Sequence, residues 1–352
     1  MKILVIQQKM IGDVLLSSIL CEALKKMYPN SIVDYLIYSN TKAVVEHNPY
    51  IDNIIEFTNE QRENKLSFFK FMMSIRKNKY SKIYDAYGKL ESNLICLFSG
   101  SESTISYYKK TTKFCYSNTI KRKSNVLSVA GNAVENRLRL LYKEDDILKN
   151  IIRPKIYITS TEKNKALNFL RENNIDISQP IFMIGILGSS IDKSLPYETM
   201  GKIIDRISLQ KEGTILFNYI PNQINEVQSI YSLLAPETKK KVRLDVYAKS
   251  LRDFLALLTH CTCLIGNEGG AVNMAKALNI PTFTIFSPWI RKEVWNMFDD
   301  DLYYTSVHLS DYKPEIYNDV EYKSLKNEYN KLYQLLSFEY FEKKLKDYLS
   351  NF

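Results

Sequence analysis

Glycine is scarce in this chain, 11 residues in 352, and three of them fall between Gly266 and Gly270. A residue used so sparingly elsewhere marks a place where the backbone must turn sharply or approach something closely. Cysteine is scarce too: Cys261 and Cys263 are two apart in an apolar run, and Cys21, Cys96 and Cys115 are scattered. That spacing excludes a zinc knuckle and gives no disulfide framework. The three histidines, His47, His260 and His308, form no local cluster. No apolar run approaches the roughly 20 residues that cross a bilayer. Met1-Lys2 leads straight into a strand pattern with no signal-peptide character, so the expectation is a cytoplasmic protein.

With 45% hydrophobic and 25% charged residues, the composition is that of a globular protein long enough for two domains. Its net charge of +9 is unevenly placed: residues 1–160 hold 25 Lys+Arg against 15 Asp+Glu, and the remainder 23 against 24. The densest basic stretch, Lys109, Lys110, Lys113, Lys121, Arg122 and Lys123, is interleaved with Tyr107, Tyr108, Phe114 and Tyr116. Nucleic acid, an anionic membrane surface and an acidic substrate each suit such a face, as does plain solvation.

The stretch Gly266-Asn267-Glu268-Gly269-Gly270-Ala271-Val272-Asn273 follows the apolar run Cys261–Ile265 and precedes Ile280-Pro281 and the strand pattern Thr282–Phe286. It reads as strand, glycine turn, helix and strand. A helix opening behind such a turn aims free N–H groups at whatever lies in front, an arrangement suited to phosphate, although a tight connection alone also uses these glycines. At the N-terminus, the buried strand Ile3–Ile6 leads through Ile11-Gly12-Asp13 into a helix that ends before Tyr28-Pro29. Asp13 stands at that helix start, either as its N-cap or as a carboxylate at the carboxyl end of the first strand, where open α/β sheets place ligands. A second turn, Gly185 to Pro196, follows the strand Ile181–Ile186 and offers Gly188, Ser189, Ser190 and Lys193; it lacks the spacing of a Walker loop.

Strands and helices alternate throughout, which predicts a doubly wound α/β protein. Strands are expected at 32–38, 53–57, 82–87, 156–158, 214–219 and 242–244, and helices at 66–77, 162–173, 197–209, 223–234, 251–258 and 324–349. Residues 100–135 show no clear period and read as loops and short elements. The pattern restarts near Arg153-Pro154, giving two Rossmann-like domains, 1–155 and 156–325, and a C-terminal helix, 326–352, able to strap back onto the first domain.

Together these motifs resemble glycosyltransferase family 9, the heptosyltransferases of lipopolysaccharide biosynthesis. The resemblance is carried by Lys2–Ile6 with Ile11-Gly12-Asp13-Val14, by Asn48-Pro49-Tyr50-Ile51-Asp52, by Gly188-Ser189-Ser190 with Lys193 and Pro196, and by Ser250 through Leu278 closing at Ile280-Pro281-Thr282. It implies a GT-B fold of two Rossmann-like domains facing across a cleft, an acceptor-binding first domain and a nucleotide-sugar-binding second. It also implies an inverting transferase, active without a metal or cofactor, that moves heptose from ADP-heptose to a lipopolysaccharide core or related glycan. Asp13 would then be the general base, and Ser189, Ser190, Lys193, Asn267, Glu268, Gly269, Gly270 and Asn273 would hold the donor diphosphate. Gly12, Lys109, Lys110 and Lys113 would meet an anionic lipid-linked acceptor, with the protein peripheral at the cytoplasmic face of the inner membrane.

The chain departs from the family pattern where Asp-Thr/Ser-Gly and a following histidine are usual: it has Glu268-Gly269-Gly270 with Asn273, and Leu195 where tryptophan is common. A silent nucleotide-sugar-binding relative is therefore an alternative, as is a nucleic-acid-binding protein using the basic half, although no recognisable RNA-binding or helix-turn-helix signature accompanies it.

Overall fold

A computed structural model describes residues 1–318 and 320–352. The chain forms two compact units, Met1–Tyr157 and Ile158–Phe352. Each contains one wholly parallel sheet, and its central strands, such as Lys2–Ile6 and Ile181–Gly185, are largely apolar runs, the composition expected where helices cover both faces.

The first sheet holds β1 (Lys2–Ile6), β2 (Ile32–Tyr38), β3 (Asn53–Phe57), β4 (Lys82–Asp85), β5 (Ser103–Tyr107) and β6 (Asn118–Ile120), in the order β3-β2-β1-β4-β5-β6. The chain winds outward from β1 in one direction and from β4 in the other, so the order reverses between β1 and β4, where an open sheet of this kind leaves a crevice at its carboxyl edge. On one face, Phe71, Met72 and Ile75 of the helix Lys65–Lys77 join Ile95 and Cys96 of the helix Leu90–Phe98 in a cluster with Leu4, Ile6, Leu36 and Ile83. The strands β5 and β6 and the start of the helix Asn132–Leu138 are the short elements within the stretch 100–135. The polar residues alternating through Ser103-Thr104-Ile105-Ser106 conceal β5 from a hydrophobicity reading.

The second sheet holds β7 (Ile181–Gly185), β8 (Thr214–Asn218), β9 (Cys263–Asn267), β10 (Thr282–Ile285) and β11 (Tyr304–Val307), in the order β11-β10-β9-β7-β8. Here the reversal lies between β7 and β9, which pair in register at Gly185 and Gly266. The segment 156–158 has no regular secondary structure and joins neither sheet, and 242–244 contributes a single bridge from Val242 to Ile215.

The single C-terminal helix expected is corrected in shape. Residues 324–349 form the short helices Tyr322–Leu325 and Tyr329–Leu335 and then Phe338–Leu349. These belong to the second unit. The apolar face of Phe338–Leu349 lies on that unit's own sheet, with Phe341 and Tyr348 at 6.4 and 5.4 Å from Phe283. On its border, Glu339 and Glu342 pair with Lys202 and Arg206 of the helix Tyr197–Gln210. An amphipathic period fixes which face is apolar but not which sheet it meets.

Candidate active site

In the first unit, Asp13 is the third residue of the helix Ile11–Ser17, not its N-cap; Met10 holds that position and its carbonyl accepts from Val14 at 2.8 Å. Gly12 is the second residue of the same turn. The Asp13 carboxylate, 30% exposed, receives a 2.6 Å charge-assisted bond on Oδ1 from Nη2 of Arg137. Arg137 comes from the helix Asn132–Leu138, and its other nitrogens are spent on scaffold: Nε donates to Ser17 Oγ at 2.8 Å and Nη1 to the Ala133 carbonyl at 2.9 Å. A planar guanidinium committed in three directions fixes the carboxylate's orientation better than a single ammonium would. Arg137 was not legible as a partner because 124 residues separate it from Asp13.

Around the same carboxyl edge, cations sit with aromatic rings. Lys9 Nζ lies 5.1 Å from the Tyr38 ring, and the Arg122 guanidinium lies 3.9 Å from that of Tyr107. Lys109, just beyond β5, donates to the Gly88 carbonyl at 2.6 Å. Partial burial, with the like charges of Lys89 and Arg122, holds its ammonium below the usual lysine range. Lys110 and Lys113 are exposed on the connection from β5 to β6. Beneath them, buried Asp85 at the end of β4 accepts from the Tyr87 and Gly88 N–H groups, both at 2.9 Å, and from the Tyr116 hydroxyl at 2.6 Å. Burial raises this carboxyl above the usual range despite those donors.

In the second unit, both glycine turns meet at the β7/β9 reversal. A Cβ on Gly266, whose φ is +146°, would stand 2.3 Å from the Gly185 carbonyl oxygen, and one on Gly188 would stand 2.2 Å from that of Lys193. These two glycines let backbone approach backbone. Gly269, with φ +147°, faces open space instead: no atom lies within 4 Å of where its Cβ would be. It caps the helix Gly270–Ala277, so the first turn of that helix opens on a site without a side chain in front. Gly266→Ala combines strain with overlap and is expected to destabilise the protein by about 3 kcal/mol. An unchanged urea midpoint would contradict this account of the turn.

The polar residues of the two turns separate into scaffold and site. Asn267 is buried and fully engaged: Oδ1 accepts from the Leu195 N–H at 2.8 Å, and Nδ2 donates to the Gly185 and Ile186 carbonyls at 3.0 and 3.1 Å. Its side chain staples the two turns together. Ser189 and Ser190 are exposed, and Asn273 lies half-buried in the helix that Gly269 caps. Lys193 Nζ lies 3.6 Å from Glu268 Oε1, an atom that is buried without a hydrogen bond. Burial raises the Glu268 carboxyl above its ordinary value, against the pull of Lys193.

Two residues near this loop were not expected. Trp289, in the turn after β10, donates from Nε1 to the Asp192 carbonyl at 2.8 Å. The ammonium groups of Lys193 and Lys326 lie 5.6 and 5.0 Å from its ring. Lys326 also pairs with Asp192 at 3.4 Å. Thus the family tryptophan missing at Leu195 is not the only way to bring an indole beside Lys193, and the C-terminal segment adds a second cation to the loop. Positions far apart in sequence gave no local signal for either residue.

The description "Glycosyltransferase family 9 (heptosyltransferase)" matches residues 68–306, well over half the chain and spanning parts of both units. Lipopolysaccharide heptosyltransferase 1 of Campylobacter coli is 19% identical over 305 residues, covering 81% of this chain and 84% of that protein. The crystal structure of the glycosyl transferase family 9 from Veillonella parvula DSM 2008 superposes with a TM-score of 0.80 at 16% identity, covering 100% and 98% of the two chains. E. coli heptosyltransferase WaaC with ADP-2-deoxy-2-fluoro heptose gives 0.62 at 14% identity over 87% and 93%. These structural likenesses give the GT-B fold. With two parallel α/β units in place and the family match running through both, this chain belongs to glycosyltransferase family 9, the heptosyltransferases.

Proposed function

We propose that the protein transfers heptose from ADP-heptose to a hydroxyl of a lipopolysaccharide core or related surface glycan, inverting the anomeric centre without a metal. Family membership supports the reaction class, and the heptose analogue named with E. coli WaaC supports the donor. The observation that carries the donor site is the meeting of the two glycine turns at the β7/β9 reversal. Lys193 and the exposed Ser189 and Ser190 stand on one turn, and the open first turn of Gly270–Ala277 on the other.

As the bond between the sugar C1 and the diphosphate oxygen breaks, Lys193 and the helix N–H groups stabilise the charge that develops on the leaving group. Asp13 takes the proton of the acceptor hydroxyl as its oxygen bonds to C1. Arg137 occupies Oδ1 and leaves Oδ2 for that proton. The acceptor's phosphates and sugar-acid carboxylates meet Lys109, Lys110 and Lys113, together with Lys9 and Arg122. The protein acts peripherally at the cytoplasmic face of the inner membrane; among the described residues no helix is long and apolar enough to cross it.

A second reading, a silent relative that binds a nucleotide sugar, is favoured by one feature: Gly269 and Asn273 stand where the resemblance leads one to expect a hydroxyl and an imidazole. Thermal denaturation with a panel of nucleotide sugars, followed by analysis for free sugar, separates the two. Transfer predicts stabilisation by ADP-heptose together with slow hydrolysis; a silent relative shows stabilisation alone. Stabilisation by no nucleotide sugar contradicts both readings.

A further inference from the structure

The helices Lys65–Lys77 and Leu90–Phe98 lie side by side on the first sheet, and their inward faces share one apolar cluster. Their outward faces are also apolar. At about 100° per residue, Leu66 and Phe69 fall in one narrow sector of the first helix, away from buried Phe71 and Ile75. Leu90 and Leu97 fall opposite the buried Ser92 and Cys96 of the second. Several of these side chains are open to solvent: Leu66 is 73% exposed, Leu90 70%, Phe69 54% and Leu97 44%. Stripes on two adjacent helices exceed the scattered single exposures normal for a surface.

The charge beside these stripes has one dominant sign. On the first helix Lys70 and Lys77 follow one border of the stripe and Lys65 and Arg76 the other, and the helix contains no acidic residue. Lys89 precedes Leu90, and Glu91 is the one carboxylate in the second helix. Apolar side chains bordered by cations match an interface that is anionic at its surface and hydrocarbon beneath it, the arrangement of a helix lying in the plane of a membrane. A core-forming protein partner would cover the leucines but leave the border lysines without counter-charge.

We infer that the outward face of these two helices docks on an anionic lipid surface. Leu66, Phe69 and Leu90 enter the acyl boundary, and Lys65, Lys70, Lys77 and Lys89 meet the headgroup phosphates. This deepens the proposed action on a lipid-linked acceptor by assigning the membrane contact to residues outside the donor and acceptor machinery.

The test is co-sedimentation of the full chain with vesicles rich in phosphatidylglycerol and with phosphatidylcholine vesicles, both free of glycan and nucleotide sugar. Partition onto the anionic vesicles should exceed that onto neutral ones about tenfold and fall with added salt. The triple variant Leu66→Ser/Phe69→Ser/Leu90→Ser should lose about tenfold in partition while keeping the wild-type melting profile. A second variant, Lys70→Gln/Lys77→Gln, should lose the anionic preference by a similar factor. Wild-type binding by both variants, equal binding to both vesicle types, or binding to neither overturns the assignment. So does a dimer in vesicle-free sedimentation that the triple variant abolishes, because it would give the face to a second copy of the chain. Transfer to a delipidated core oligosaccharide, assayed in parallel, keeps the two readings apart: it should survive the triple variant, and its absence in the wild type would count against the proposed activity and not against the lipid contact.

Discussion

Replacing Asp13 by asparagine should lower kcat by about a thousandfold while leaving donor affinity nearly unchanged. Asparagine is the informative choice because its amide oxygen still accepts the Arg137 bond seen at 2.6 Å, so the helix start keeps its geometry and loses only the ability to take a proton. Asp13→Ala should match it in turnover but lower stability as well, because Arg137, 10% exposed, would keep its bonds to Ser17 and Ala133 and lose its counter-charge. Arg137→Lys provides the intermediate case: charge remains, the fork does not, and kcat should fall by about tenfold with the donor KM unmoved. Steady-state kinetics on the four proteins, with thermal melts as the folding control, checks the series. Near-normal turnover of Asp13→Asn would remove the base assignment outright.

Lys193→Ala is expected to lower kcat/KM for the donor by about two to three orders of magnitude, the range seen when one preorganised donor to a developing anion is removed. Part of any loss can arise indirectly, because Lys193 lies 3.6 Å from a Glu268 oxygen buried without a hydrogen bond. Without the lysine, that carboxyl is left in a site that already disfavours its charge. The double variant Lys193→Ala/Glu268→Gln separates the effects: it should recover the stability lost in the single variant but not the turnover. If turnover returned with stability, Lys193 would be a counter-ion to Glu268 and not a ligand to diphosphate. The carboxyl at 268 is one methylene longer than the family's aspartate, which lets it reach toward Lys193 from the neighbouring turn.

What the sequence disclosed follows from the physical origin of each element. Residues 3–6 of β1 and 181–184 of β7 are continuous apolar runs because both sheet faces are covered, and such runs stand out in any reading. The glycine turns were legible because glycine is so rare here that three within five positions demand a backbone reason. The roles within those turns were not legible. Gly266 serves a close approach to Gly185, Gly269 an open helix start, and Asn267 a staple, distinctions set by a strand pairing across a gap of 81 residues at Gly185 and Gly266. β5 and β11 escaped because Ser103-Thr104-Ile105-Ser106-Tyr107 and Tyr304-Thr305-Ser306-Val307 carry hydroxyls in buried strands. Arg137, Trp289 and Lys326 reach their places only through tertiary packing, and no spacing rule connects them to Asp13 or Lys193.

The most direct measurement is product analysis by mass spectrometry after incubating the protein with ADP-heptose and a heptose-deficient lipopolysaccharide core. Heptosyl transfer predicts an acceptor gaining one heptosyl residue, with ADP released in equal amount and the new linkage inverted relative to the donor. An acceptor left unmodified while ADP-heptose binds, or a product that gains a different sugar from a different nucleotide, would contradict it.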